Sequence, residues 1–268
     1  MCRVYSVTRE GFNSWRTRGV SARKQYDDEL FILINQIFEK HDGNYGSPKI
    51  THELAKQNIH VGQKRVARIM REHGLRAIKA VMYRTKKGKT AFVSASPNMI
   101  AEKTITGVDQ VWSGDVTYIR MPDDTWRYLA VIIDRFSRSV ISWSLSDRRD
   151  GALTIAALER AFRNRGFPKG VIFHSDRGIE YIAKTFRKRL ALYGISQSMN
   201  RPNKMNDNAQ IESFFNSFKV ERLKRKFYSS DNDVRGLFSS YVRYYNYERS
   251  HSSIGYVSPM EYESKKAA

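Results

Sequence analysis

The run Val111-Trp-Ser-Gly-Asp-Val-Thr-Tyr-Ile119, followed by Trp126-Arg-Tyr-Leu-Ala-Val-Ile-Ile-Asp134 and Ser139-Val-Ile-Ser-Trp-Ser-Leu-Ser146, decides the fold. All three segments are rich in β-branched and aromatic residues, which suit a pleated, half-buried surface. The breaks between them, Pro122-Asp123-Asp124 and Phe136-Ser137-Arg138, have turn chemistry. An antiparallel meander of three strands is therefore expected. In the third strand, alternation puts Ile141, Trp143 and Leu145 on one side and Val140, Ser142 and Ser144 on the other.

Toward the C-terminus the pattern changes period. A helix is expected from about Ala152 to Asn164, then a short strand Val171-Ile-Phe173. A helix over Ala183–Tyr193 turns Phe186, Leu190 and Tyr193 inward, and residues 196–200 suit another strand. Two helices follow, over 208–226 and 232–247, the last with the apolar stripe Val234, Leu237, Phe238, Tyr241, Val242 and Tyr245. Three antiparallel strands and then alternating helix and strand describe an α/β domain, a mixed five-stranded sheet flanked by helices. The ribonuclease-H-like fold has this order of elements; at this point the likeness is one of order alone.

Toward the N-terminus the chain reads as a small all-α unit. Residues 1–25 form a basic segment. From residue 26, Leu30, Ile34 and Ile37 recur at helical spacing. A turn cluster, Asp42-Gly-Asn-Tyr-Gly46, leads to Ser47 as N-cap and Pro48 as first helical residue. After a break near Asn58, a third helix begins around Gly62, with Val66, Ile69 and Met70 inward and Lys64, Arg65, Arg68 and Arg71 outward, and Gly74 ends it. This fits a helix-turn-helix domain over 26–75 whose second helix enters the major groove of double-stranded DNA, with Lys64, Arg65 and Arg68 as DNA contacts. A helical hairpin with a solvated basic face fits the same pattern. Residues 76–110, with Lys86-Lys-Gly-Lys89, read as a basic linker before a core over 111–263.

Charge points the same way. The 47 Lys and Arg against 27 Asp and Glu leave +20, a self-repulsion that a polyanion partner would relieve, and nucleic acid is the usual one. A single cysteine excludes a disulfide framework, and the six histidines lack paired zinc-ligand spacing. No apolar run reaches the roughly 18 residues of a membrane span, so the simplest compartment is the cytosol.

Three acids stand out. Asp115 lies mid-strand, where a carboxylate is costly unless paired or metal-bound. Asp176 follows the buried strand ending in Phe173, at the end of the sheet where α/β ligand sites gather. Glu212 lies one turn into a helix, on a polar stripe with Asn208 and Lys219. Converging, they could hold two Mg²⁺ about 3.5–4 Å apart, the arrangement that serves phosphoryl transfer, while Lys219 meets a phosphate. Plainer roles are a solvent-facing strand residue, a turn cap and an exposed helix glutamate. Asp207 reads as the N-cap of the Glu212 helix, and Asp134 as a turn or ion-pair residue.

The segments Trp112-Ser-Gly-Asp-Val-Thr-Tyr-Ile119, Tyr128-Leu-Ala-Val-Ile-Ile-Asp-Arg-Phe-Ser-Arg138, His174-Ser-Asp-Arg-Gly178, Asp207-Asn-Ala-Gln-Ile-Glu-Ser-Phe-Phe215 and Tyr245-Asn-Tyr-Glu-Arg-Ser-His251 occur in that order. Together they closely resemble the integrase core of DDE-type transposases of bacterial insertion sequences with the two-frame layout. The likeness runs over roughly 26–263, and Tyr45-Gly46 to Leu75 resembles the small helix-turn-helix domain ahead of that core. The resemblance implies Asp115, Asp176 and Glu212 as catalytic, metal-holding acids and Lys219 as a DNA contact. It implies Mg²⁺, with Mn²⁺ as a substitute, and binding to the element's terminal inverted repeats and to target DNA. It implies strand cleavage by water and then attack of the freed 3′-OH on a second phosphodiester, in a homo-oligomer on paired ends. An upstream-frame DNA-binding protein is an implied partner, and the bacterial nucleoid the implied location. A DNA-binding regulator without turnover is the alternative; loss of any of the three acids would have favoured it. Three departures are Gly114 for a commoner hydroxyl residue, Asn203 for a usual glycine, and Ile179-Glu180 for a more polar pair.

Overall fold

The meander forms where the alternation requires it. In a computed structural model describing residues 6–78, 96–201 and 205–267, β1 (Val111–Arg120), β2 (Trp126–Asp134) and β3 (Val140–Ser146) pair antiparallel. On the free edge of β1, β4 (Ile172–Ser175) adds in parallel, and β5 (Ser196–Met199) beyond it, giving the order β3-β2-β1-β4-β5. This is the mixed five-stranded sheet the sequence describes, with β1 in its centre.

Two apolar layers cover the sheet. On one face α5 (Gly151–Asn164), a short α6 (Ile179–Ile182) and α7 (Lys184–Leu192) pack Leu158, Ala161, Tyr181 and Phe186 over Trp112, Ile132 and Phe173. On the other, α8 (Ala209–Glu221) and α9 (Asp231–Tyr247) set Phe214, Phe218, Phe238 and Tyr241 over Ile119, Leu129, Val131 and Leu145. Caps fix the helix starts: Asp150 accepts from the Leu153 amide at 3.1 Å, and Ser230 with Asp233 forms a capping box ahead of α9. The sequence reading lacked α10 (Pro259–Ala267), although Ser258-Pro259 carries the start signal recognised at Ser47-Pro48.

One strand departs from simple alternation. The β2–β3 ladder pairs Ile132 with Ser142 and Ile133 with Val140, so a bulge falls at Ile141. Val140 therefore joins Trp143 and Leu145 under α8 and α9, while Ile141 turns to the α5 face. The grouping of Ile141 with Trp143 and Leu145 is corrected accordingly.

The chain divides into two units, Met1–Ile78 and Lys79–Ala268. In the first, α1 (Arg9–Thr17) buries no residue, and α2 (Ala22–Lys40), α3 (Ser47–Lys56) and α4 (Gln63–Glu72) enclose Leu30, Ile34, Ile50, Leu54, Val66 and Ile69. The α2 helix begins before the expected residue 26, because Ser21 caps it through the Lys24 amide at 3.3 Å. The N-cap of α3 is Gly46, one residue ahead of the expected Ser47. Gly74, at φ +71°, ends the unit's last helix as the sequence indicates.

Residues 79–95 of the basic linker expected over 76–110, and Asn203, fall outside the described residues. Residues 96–110 lie along the second unit: the Met99 amide donates to Ser198 Oγ at 2.9 Å, and Ile100 packs with Val111 and Ile172. Among the described residues no helix is long and apolar enough to cross a membrane.

Candidate active site

The parallel β1–β4 ladder pairs Ser113 with His174 and Gly114 with Ser175. Asp115 lies on β1 one residue past the end of that ladder and Asp176 one residue past the end of β4, close enough for the charge of Asp176 to act on Asp115. Asp115 pairs with Val131 across β2, so its side chain faces the α8 layer. Both carboxylates keep some access to solvent, yet enough water is excluded to raise both pKa values. For Asp115 burial comes first, then the charge of Asp176, with Glu212 and Glu180 adding to it. For Asp176 burial again leads, the Gly178 amide at 2.9 Å opposes it, and Glu180 adds repulsion.

Glu212 is exposed in the first turn of α8, near enough for its charge to act on Asp115. The same helix brings Lys219, half-buried, with its ammonium 4.8 Å above the Tyr118 ring. Burial lowers the pKa of Lys219, and the charge of Asp115 opposes that. So Asp115 and Asp176 adjoin, and α8 carries the other two residues past them.

The donor set suits a hard divalent cation. Among the described residues no three His, Cys, Asp or Glu side chains are gathered closely enough to enclose a metal ion. Mg²⁺ does not need such a cage, since it keeps several waters and binds through one or two carboxylates. Two adjoining carboxylates, both with raised pKa values and one pushed up by the other's charge, lack the positive charge a divalent ion brings. Carboxylates come close to the chain at residue 178 because it is glycine. A Cβ there would lie 2.7 Å from Glu180 Oε1 and 2.9 Å from Asp176 Oδ1.

Polar residues around the acids have definite tasks. His174 is enclosed, its Nδ1 2.9 Å from Ser198 Oγ and its Nε2 2.8 Å from Asn200 Oδ1. A carbonyl oxygen can only accept, so Nε2 carries the proton and the ring is neutral. Burial, and then the charge of Arg135, takes its pKa from the ordinary 6.5 to about 4. Asp134 is a turn residue: its Oδ1 accepts from the Phe136 and Ser137 amides at 2.8 and 3.1 Å. Asp207 is not the N-cap of α8. A 3-10 turn over Met205–Asn208 precedes that helix, and the Asp207 carboxylate instead takes Arg201 at 2.8 Å and Asn98 at 2.8 Å. The Arg201 guanidinium holds its pKa well below the usual carboxylate range.

Two residues the sequence reading gave no role also belong to this neighbourhood. Glu180, on α6, is 2% exposed and paired with Arg149 at 2.9 Å. An acid two residues after Gly178, where a more polar pair was expected at 179 and 180, was the available signal. In the N-terminal unit, Lys64 is exposed on α4. Arg65 and Arg68 reach back to Asp27 at 2.7 and 2.6 Å, and Arg68 also pairs with Glu72. They tie α4 to α2, while 30% and 35% of their side-chain surfaces stay exposed.

Comparison with known proteins bears on the whole chain. Integrase core domain families match residues 106–205 and 193–259, and an HTH-like domain matches 25–83. The transposase InsF for insertion sequence IS3A of Escherichia coli strain K12 is 36% identical over 273 residues, covering 100% of this chain and 94% of that protein. The insertion element IS600 uncharacterized 31 kDa protein of Shigella sonnei is 32% identical over 267 residues, covering 99% and 98%. A chain of the simian T-cell lymphotropic virus intasome, solved with the PP2A regulatory subunit B56 gamma, aligns with a TM-score of 0.53 at 16% identity, covering 86% of this chain and 74% of that one. At that identity the likeness speaks for the fold alone. Sheet order, the HTH-like domain and relatedness along the full length agree, and the chain belongs to the IS3-type insertion-sequence transposases, proteins of DNA transposition with an integrase-like core.

Proposed function

We propose that this transposase cuts DNA at the ends of its element and joins the freed 3′ ends to target DNA, with Asp115, Asp176 and Glu212 holding the divalent cations, Mg²⁺ or Mn²⁺. The observation that carries the reading is the adjacency of two pKa-raised carboxylates, on β1 and just past the end of β4, with Glu212's charge acting on the first. Bound cations would supply charge relief at the scissile phosphate and an activated oxygen nucleophile. The chain's own residues supply position. β1 fixes Asp115, the Gly178 amide holds Asp176 just past β4, and the missing side chain at Gly178 lets the carboxylates approach there. Lys219, held over Tyr118, offers its ammonium to a DNA phosphate near Asp115. In the HTH-like unit Lys64 meets the duplex, and Arg65 and Arg68 serve Asp27 and a phosphate together. The terminal inverted repeats and the target are the DNA partners, and the transposase works as a homo-oligomer that pairs two ends, alone or with an upstream-frame DNA-binding protein, in the bacterial cytoplasm.

The test is strand joining by the full chain, using pre-cleaved duplexes bearing the element's ends, target DNA and Mg²⁺. Joined product is expected, and its loss on chelation. Asp176→Asn and Glu212→Gln proteins should fold and bind DNA yet join none; joining retained by either rejects the assigned acids. DNA binding without joining by the unaltered chain would turn the reading to a regulator.

A further inference from the structure

Glu180 is an ion-pair partner with one oxygen left over. Its side chain is 1% exposed. Oε1 accepts from Arg149 Nη2 at 2.9 Å and Nε at 3.2 Å, and Oε2 is buried with no hydrogen-bond partner among the described residues. A buried carboxylate oxygen without a donor is costly, and native proteins tolerate one only where something else compensates. Its setting indicates what does. The same carboxylate comes to 2.7 Å of the point where a Gly178 side chain would start, and Asp176 Oδ1 to 2.9 Å of that point. Its charge bears on both Asp115 and Asp176. Three acids thus crowd one place.

Arg149 is a cation that faces them. Lying between β3 and α5, it holds Glu180, and its charge also acts on Asp176 and Asp115. Its side chain is 44% exposed, so it reaches in from solvent and is not locked in the core. Its partner is a residue that a purely structural pair would not need to place beside the two aspartates.

Resting on the reading of Asp115 and Asp176 as cation ligands, we infer that the Glu180–Arg149 pair sets how tightly that site takes a divalent ion. Glu180 deepens the negative charge through its unpartnered oxygen, and Arg149 is the resident counter-cation that offsets it when no metal is bound. Both are positioning residues, since they act through the aspartates.

The two halves of the pair therefore have opposite effects, which a structural ion pair does not. Mn²⁺ alone is titrated into the full chain by calorimetry, without DNA, and the Asp176→Asn protein defines binding elsewhere. Arg149→Gln removes the competing charge and should tighten Mn²⁺ binding roughly tenfold or more, and Glu180→Gln should weaken it roughly tenfold or more, the lower bound being the scale on which one charge acts on a divalent ion about 6 Å away under water-like screening. The double variant should return close to the starting affinity, and Arg149→Lys, which keeps the charge, should leave it unchanged. Arg149 is partly exposed, so Arg149→Gln should fold whatever becomes of Glu180→Gln, and its sign decides the matter. Unchanged or weaker binding in Arg149→Gln overturns the inference. Wild-type binding equal to that of Asp176→Asn overturns instead the reading of the aspartates as ligands, and the inference with it.

Discussion

The seam between β1 and β4 closes because residue 114 has no side chain. A Cβ there would lie 2.3 Å from Phe173 Cζ, with Cε1 and Cε2 at 3.1 and 3.2 Å. Carbon atoms rest about 3.5–4.0 Å apart, so Gly114→Ala forces an overlap of roughly an ångström against a ring. Phe173 cannot retreat: it is 0% exposed, with the Tyr181 and Phe186 rings 5.8 and 5.3 Å away. Overpacking of this kind costs about 1–3 kcal/mol. Alanine in a strand returns about 0.5–1 kcal/mol relative to glycine, so the net loss is about 1–2 kcal/mol. For a unit of this size that is a fall of about 3–6 °C in the calorimetric transition of the core. Phe173→Leu alone leaves a gap and costs about 1–2 kcal/mol, but it makes room for the new methyl group. The double-mutant cycle should then show a favourable coupling of at least about 1 kcal/mol. Additive losses in the double variant would refute the argument, because the two side chains would then not be competing for one space.

Two further outcomes follow from buried charges. His174 has its folded pKa depressed from 6.5 to about 4, so its stabilising contribution is complete above pH 6.5 and is lost as pH falls toward 4. The raised pKa values of Asp115 and Asp176 work in the opposite sense, so the measurement is a difference: between pH 7 and 4 wild type should lose up to about 3 kcal/mol relative to His174→Gln in urea unfolding, and parallel curves would contradict the neutral, enclosed imidazole. Glu221 takes Arg249 at 2.6 Å and the Tyr241 hydroxyl at 3.0 Å, with 10% and 12% of the two charged side chains exposed. Glu221→Gln strands the guanidinium and should cost about 3–5 kcal/mol by denaturant unfolding; a loss below 1 kcal/mol would mean that water reaches Arg249.

Local features were legible because their causes are local. The strands, the α5 and α9 helices and the stop at Gly74 follow from residue type and period within a dozen positions. Asp115 and Asp176 could be singled out one at a time, since one sits on a strand and the other just past the end of one, settings that make a carboxylate conspicuous. Their adjacency could not be read from spacing, because a crossover between β1 and β4 makes it. Asp207 was misread for a related reason. Asp before a helix signals a cap, but the 3-10 turn leaves Asn208 at the cap position and hands Asp207 to Arg201 and Asn98, the latter 109 residues away. The pairing of Arg65 and Arg68 with Asp27 spans 38 and 41 residues, so a basic helix face looked free when part of it serves the fold. The bulge at Ile141 leaves no mark in a segment that alternates cleanly.

The position of Glu212 is governed by how α8 is held. Along its length Ile211, Phe214, Phe215 and Phe218 sink into the core, which fixes its rotation. At its C-terminal end Glu221 is gripped by Arg249 and Tyr241. Ahead of it, Arg135 Nη1 donates to Ser113 Oγ at 3.1 Å and to the Asp207 carbonyl at 2.9 Å, and Asn208 Nδ2 donates to the Gly114 carbonyl at 3.3 Å. These last ties join the start of α8 to the two residues that precede Asp115 on β1. Glu212, between the buried Ile211 and Phe214, is therefore placed chiefly by hydrophobic burial, and the hydrogen bonds in the turn before it add to that hold. Hydrogen bonds of about 1 kcal/mol each can be exchanged without disturbing a core whose aromatic side chains contribute several times that. A shift of Glu212 toward the aspartates accordingly has to move the first turn of α8 against the burial of Ile211 and Phe214, and cannot be had by rearranging residues 205–208 alone.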